Sequence, residues 1–364
     1  MRVSRLCAVL ATGVLLAGCS TDGYVPSGPF RPLPEGAPPE VGPPSSAVPA
    51  PGDPAEPGSG EEAGDPNVMA SGLAVPTGLV VLPDGSAVVG ERDTGRLLQV
   101  FPDRSPPREL MTLPGIDTAG DGGLLGLALS PTYVEDGLFY AYVSTATDNR
   151  VVRFPLGGTP NPVVTGIPRG EVHNGGGLLF AADGTLFIGT GDTGNPALAG
   201  DPASLAGKVL HIDEFGAPVG GGPAYSRGHR DVTALCAGGE DVLYATDDAP
   251  DELNPVTEGG NLGAGASRPV VEILPEEGGL GGCAAAGRFV FLGALDGERI
   301  HVVTLDESGS SVEDPEEVLG GRYGRLRTVV LDAEGGLWVT TSNRDGIGTP
   351  AEDDDKVLRI VPPT

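Results

Sequence analysis

Residues 180–194 read FAADGTLFIGTGDTG, and KVLHID follows at 208–213. Ala-Asp-Gly is a tight-turn signal, the apolar run after it suits a strand, and Gly-Asp-Thr-Gly closes that strand with a loop. KVLHID is a second strand-like run. Turn, strand, loop and strand in this order make an antiparallel hairpin.

The same unit recurs. It appears as VLPDGSAVVGERDTGRLLQVF (81–101), YVEDGLFYAYVSTATDNRVVRF (133–154), GGEDVLYATDD (238–248) and GRFVFLGALDGERIHVVTL (287–305). A sixth copy is LDAEGGLWVTTSNRDG (331–346) with KVLRIV (356–361). Six small all-β units at a spacing of about 40 to 57 residues are the signature of propeller blades. The expected fold is all-β, a six-bladed β-propeller. A seven-bladed ring stays open if residues 70–80 or 256–280 hide a weak blade. In either ring, blade loops converge at one end, so site residues belong in loops between strands.

Composition agrees. Of 364 residues, 60 are Gly and 36 Pro, which favours turns and short strands over helices. The chain begins with Arg2, Arg5 and the apolar stretch LCAVLATGVLL, then LAGC at 16–19. This reads as a signal peptide over 1–18 whose end resembles a bacterial lipobox, with lipid expected on Cys19. Residues 19–68 carry 13 prolines among Gly, Ser, Glu and Asp, and are expected to be a disordered tether. The propeller is expected over 69–364, outside the cytoplasm and bound to the cell membrane through the N-terminal lipid alone.

The formal charge is −28, and losing residues 1–18 removes two arginines and no acid, giving −30. Such a surface repels nucleic acid and suits calcium or neutral ligands. Beyond Cys7 and Cys19 only Cys236 and Cys283 remain. Outside the cytoplasm these two are expected to form a disulfide, the alternative being two buried thiols.

GGLLGLALSP (122–131), TATDNRVVRF (145–154), HNGG (173–176), GTGDTG (189–194), LAGKVLHID (205–213), SRGHRDV (226–232), DELN (251–254), GRLRTV (324–329) and TSNRDGIG (341–348) occur in this order. Together they resemble the soluble glucose/sorbosone dehydrogenase family over about residues 70–362. The resemblance implies oxidation of an aldose sugar at its anomeric carbon, with pyrroloquinoline quinone (PQQ) and calcium. It implies that His173 is the base, that Asp192 orients it and that Arg230 steadies the reduced quinone. It also places Arg325 and Arg327 against the cofactor's carboxylates. The residue types fit these roles: imidazole works as a base near neutral pH, a carboxylate fixes its tautomer, and a guanidinium matches a carboxylate at two points. His211 and His301 read as strand residues without a site role, and His229 as a neighbour of Arg230.

Some positions depart from the family pattern. Asp121 stands where Gln or Glu is common and Asp231 where Asn is common. Ala249-Pro250 replaces a Gly-Pro pair whose carbonyls bind calcium, and Asp296 aligns near a lysine that meets the cofactor. Asp251 and Glu252 are expected to complete the calcium site. Two like charges 4 Å apart repel by roughly 4 kcal/mol at an effective dielectric of 20, so three added aspartates weigh against a tricarboxylate cofactor. A second function therefore stays open: a propeller that lost PQQ and binds a carbohydrate or an envelope partner. A third is a calcium-dependent hydrolase. The sugar and the electron acceptor are not legible.

Overall fold

The computed structural model describes residues 64–238, 242–264 and 268–361. Six antiparallel sheets follow one another along the chain, spanning residues 76–112, 124–167, 175–227, 232–272, 280–318 and 326–360. The sixth is completed by Val68–Ala70, which pairs outside Val357–Ile360 and joins the two ends of the ring. This is a six-bladed propeller. The segments that left room for a seventh blade are used otherwise. Pro76–Val81 is the inner strand of blade 1, Gly260–Asn261 adds a parallel edge to blade 3, and Val271–Glu272 edges blade 4.

The signal peptide, Cys19 and residues 19–63 of the tether lie outside the described residues. The last tether residues are already part of the ring: Arg322 and the Tyr323 hydroxyl donate to Asp65 at 2.9 and 2.8 Å, and Val68 lies in the outermost strand of blade 6. No helix of the described residues is long and apolar enough to cross a membrane.

The first-to-second strand hairpins follow from their turns. The carboxylates of Asp84, Asp183 and Asp332 each accept the N–H two residues on, from Ser86, Thr185 and Glu334, at 2.9 to 3.0 Å. The second strands differ from simple alternation. Ala87–Glu91, Leu186–Thr190 and Leu337–Thr341 are buried at every position. Each is sandwiched between the two neighbouring blades, so both faces meet apolar side chains. The core accordingly comes as six clusters, one at each blade interface. Phe139 and Phe154 pack with Val88 and Leu97 between blades 1 and 2, and Trp338 packs with Val89 between blades 6 and 1.

The inner strands share a pattern: PTGL (76–79), LLGL (124–127), GGGL (175–178), VTAL (232–235), LGGC (280–283) and LRTV (326–329). All six carry a register shift at this point. Such bulges bend the strands around the axis. The small third residue lets blades touch: a Cβ on Gly126 would lie 2.0 Å from the Gly176 carbonyl oxygen. Threonines lock neighbours, with the Thr233 hydroxyl donating to the Leu280 carbonyl at 2.6 Å, and Thr328 to the Thr77 carbonyl. Cys236 and Cys283 are bonded, joining the inner strands of blades 4 and 5 with a Cα separation of 5.8 Å.

Candidate active site

Strands alternate in direction within a blade. The ends of all second strands and all blade-to-blade connections therefore lie on one face of the ring. His173, Arg230, Asp231, Asp121 and Arg325 come from such connections, Asp192 and Asp296 follow second strands, and Asp248 ends one.

Asp192 is fully buried and His173 is partly exposed, with their Oδ1 and Nδ1 2.8 Å apart. A carboxylate only accepts, so Nδ1 carries a proton, and in the neutral ring the lone pair is then on Nε2. Three features set this geometry. His173 lies in left-handed backbone, φ 54°, a region a non-glycine residue occupies only when its surroundings impose it. Its carbonyl accepts the Thr193 N–H at 3.1 Å. Gly191 makes room, since a Cβ there would sit 1.9 Å from that carbonyl oxygen. The Asp192 carboxylate is held in turn by the Gly194 N–H at 2.8 Å.

Arg230 stands half-exposed, its Nε 3.9 Å from Asp192 Oδ2, an oxygen that is buried with no hydrogen-bond partner among the described residues. The Arg230 carbonyl accepts the Asp192 N–H at 2.7 Å. Asp231 accepts the Gly175 N–H at 2.7 Å, and burial pushes its carboxyl up to about 6. Both N–H groups of Arg230 and Asp231 donate to Asp247, at 2.9 and 2.6 Å. Burial likewise raises Asp247 to about 7. His173, Asp192, Arg230 and Asp231 are thus one connected cluster spanning blades 3 and 4.

Arg327 projects from the inner strand of blade 6 and is, among the described residues, the one charged side chain lining the axial cavity, between Thr77, Gly176, Gly281 and their neighbours. Burial lowers its pKa, and so does the charge of Arg92; Asp248, Asp345 and Asp231 act the other way. Arg325 is fixed between Asp345, Nε to Oδ2 at 2.8 Å, and Asp296, Nη1 to Oδ1 at 2.6 Å. Asp121 is exposed at the rim, its N–H donating to the Glu171 carbonyl at 2.9 Å.

The expected calcium set is only partly assembled. Ala249-Pro250 forms the turn between Asp248 and Asp251, which pair across it. Asp251 spends Oδ1 on the N–H groups of Gly279 and Leu280 at 2.7 and 3.0 Å. Glu252 does not join it. Successive strand residues point to opposite faces, and Glu252 instead accepts from Asn254 at 3.1 Å. Among the described residues no group of three or more His, Cys, Asp or Glu is arranged to hold a metal ion. The donor chemistry still suits a hard cation. Burial raises both Asp248 and Asp251, with further contributions from Asp231 on the first and Asp296 on the second.

Of the remaining histidines, His211 and His301 stand apart from the mouth, while His229 lies behind it, its Nδ1 3.8 Å from Asp247 Oδ2. His211 stacks on Phe187 at 4.2 Å, and His301 Nε2 is 2.8 Å from the Glu277 carbonyl oxygen. His229 is fully buried, its Nε2 2.7 Å from the Ser226 hydroxyl. Arg92, Asp247, Asp248 and Asp345 were not singled out from the sequence. Their signal was the repeat itself: ERD (91–93), TDD (246–248), GALD (293–296) and TSNRD (341–345) occupy the same place in blades 1, 4, 5 and 6 as GTGD (189–192) in blade 3.

A model of the family described as Glucose / Sorbosone dehydrogenase matches residues 73–268. The chain is 38% identical to the PQQ-bound aldose sugar dehydrogenase of Streptomyces coelicolor, covering 80% of this chain and 95% of that one, TM-score 0.77. It is 33% identical to a putative oxidoreductase (glucose dehydrogenase) of Thermus thermophilus, covering 81% and 98%, TM-score 0.75. It is 26% identical to quinoprotein glucose dehydrogenase B of Acinetobacter calcoaceticus over 55% of this chain, and spans about half, 52%, of that curated relative's length. With the blades, the His173–Asp192 pair and these likenesses in agreement, the chain belongs to the glucose/sorbosone dehydrogenase family.

Proposed function

We propose that the protein oxidises the anomeric carbon of an aldose sugar with PQQ and calcium as cofactors. The observation that carries this is the His173–Asp192 pair, a buried carboxylate behind a partly exposed imidazole. When bound, PQQ supplies the electron sink and calcium a Lewis acid beside it. His173 Nε2 takes the proton from the sugar's anomeric hydroxyl as the hydride leaves the same carbon, giving the lactone. Asp192 holds the tautomer and stabilises the imidazolium. Arg230 and Arg327 present cationic groups toward the mouth, suited to carboxylates and to developing negative charge. Gly175 and Gly176, at φ 73° and 140°, keep the floor free of side chains so that a flat group can approach the backbone. The carbonyls of Ala249 and Pro250, with Asp248 or Asp251, are the oxygens proposed for calcium. We place the protein outside the cytoplasm, lipid-anchored through Cys19, on the strength of its N-terminal sequence.

A second reading, a propeller that binds a carbohydrate or an envelope partner without PQQ, is favoured by Asp296 already occupying Arg325. Titration of the purified protein with PQQ, with and without calcium, followed by product analysis on an aldose panel, separates the two. Lactone formation that depends on PQQ supports the first. Saturable sugar binding without PQQ uptake supports the second.

A further inference from the structure

Arg325 is buried and its guanidinium lies between two carboxylates that differ in kind. Asp345 is a fixed partner: it is 6% exposed, and its Oδ1 accepts the N–H groups of Ile347 and Gly348 at 2.9 and 3.2 Å. Asp296 is 51% exposed, and its carboxylate makes one hydrogen bond among the described residues, to Arg325 Nη1 at 2.6 Å. Nη2 makes none among the described residues. Without Asp296, Nη1 and Nη2 would form a free fork of the shape that takes a carboxylate at two points.

We propose that Asp296 is a displaceable internal anion that closes the outer arm of Arg325, and that a carboxylate ligand entering the mouth must push it aside. The proposal rests on reading this mouth as the site of PQQ, a tricarboxylate. Its geometry is nevertheless a property of the protein alone. Asp296 sits on the loop after the second strand of blade 5, whereas Arg325 and Asp345 belong to blade 6. The half-exposed partner can swing outward without disturbing either core. Removing it has two effects of one sign on an anionic ligand: it frees the Nη1 donor beside the unused Nη2 and takes away a like charge.

The test compares the wild-type chain with Asp296→Ala and Asp296→Asn in two measurements. The first is PQQ affinity by calorimetry at low ionic strength with calcium present. The second is the rate at which phenylglyoxal labels Arg325, read by mass spectrometry without any cofactor. The expected result is PQQ binding at least about tenfold tighter in Asp296→Ala, with faster labelling of Arg325. Equal or weaker PQQ binding by the variants, where the wild type binds, overturns the proposal. Should no chain bind PQQ, the cofactor reading fails and the labelling decides alone. Faster labelling then keeps the latch, and equal rates overturn it.

Discussion

His173 and Asp192 flank the open end of one hairpin, the first just before the inner strand of blade 3 and the second just after its neighbour. Their ring nitrogen and carboxylate oxygen meet at 2.8 Å. One member is fully buried and the other reaches the open side. Orientation is thus fixed from within the protein and reactivity is directed outward.

Asp192→Asn keeps the volume and the turn but accepts less strongly from Nδ1 and lets the ring adopt the other tautomer. Turnover should fall by about a hundredfold or more, with sugar KM little changed. Steady-state kinetics of the reconstituted enzyme check this. A change confined to KM would mean that Asp192 serves binding rather than the base.

Gly191→Ala tests the close approach behind the pair. Its new Cβ would meet the His173 carbonyl oxygen at 1.9 Å and push the loop away. The far-ultraviolet circular dichroism should stay native while turnover drops by about a hundredfold, because small displacements of a positioned base are costly. Retained turnover would show that the loop tolerates the shift.

Cys236 and Cys283, 47 residues apart in sequence, tie two inner strands together. Replacing both with Ala should destabilise the ring by about 2–4 kcal/mol. Guanidinium unfolding of the oxidised protein against the double variant gives the number. An unchanged midpoint would mean that the inner strands hold without the bond.

His229 is buried in its neutral form, its pKa lowered to about 3 by burial and then by the charge of Lys208. The unfolded chain binds this proton near pH 6.5 and the folded one does not. Its contribution to stability is therefore complete above pH 6.5 and is lost as pH falls toward 3. Between pH 7 and 4.5 the wild type should lose about 2 kcal/mol more than His229→Gln, other groups being common to both. Parallel melts at the two pH values decide, and equal losses would refute a neutral buried His229.

The blades were readable because each carries its own punctuation. The carboxylates of Asp84, Asp183 and Asp332 make the hairpin turns locally, and a repeat multiplies that local signal. His173 and Asp192 were readable as members of short motifs inside one blade. Arg92, Asp247 and Asp345 were not, because each becomes part of the mouth only when the ring closes and brings different blades together. Glu252 lies apart from Asp251 for a local reason: it follows Asp251 on a strand, so the period of two turns it to the other face. Whether an arginine is free or occupied, as with Arg325 between Asp296 and Asp345, depends on contacts 20 to 29 residues apart and has no local signature.

The central claim is that His173 removes the anomeric proton of a sugar. Its most direct measurement is PQQ- and calcium-dependent dye reduction by wild type and His173→Ala across an aldose panel, with PQQ binding measured on both. The account predicts turnover by the wild type and a loss of about a thousandfold in the variant, with PQQ still bound. Equal turnover by the two proteins, or none by the wild type on any aldose with both cofactors supplied, would contradict it.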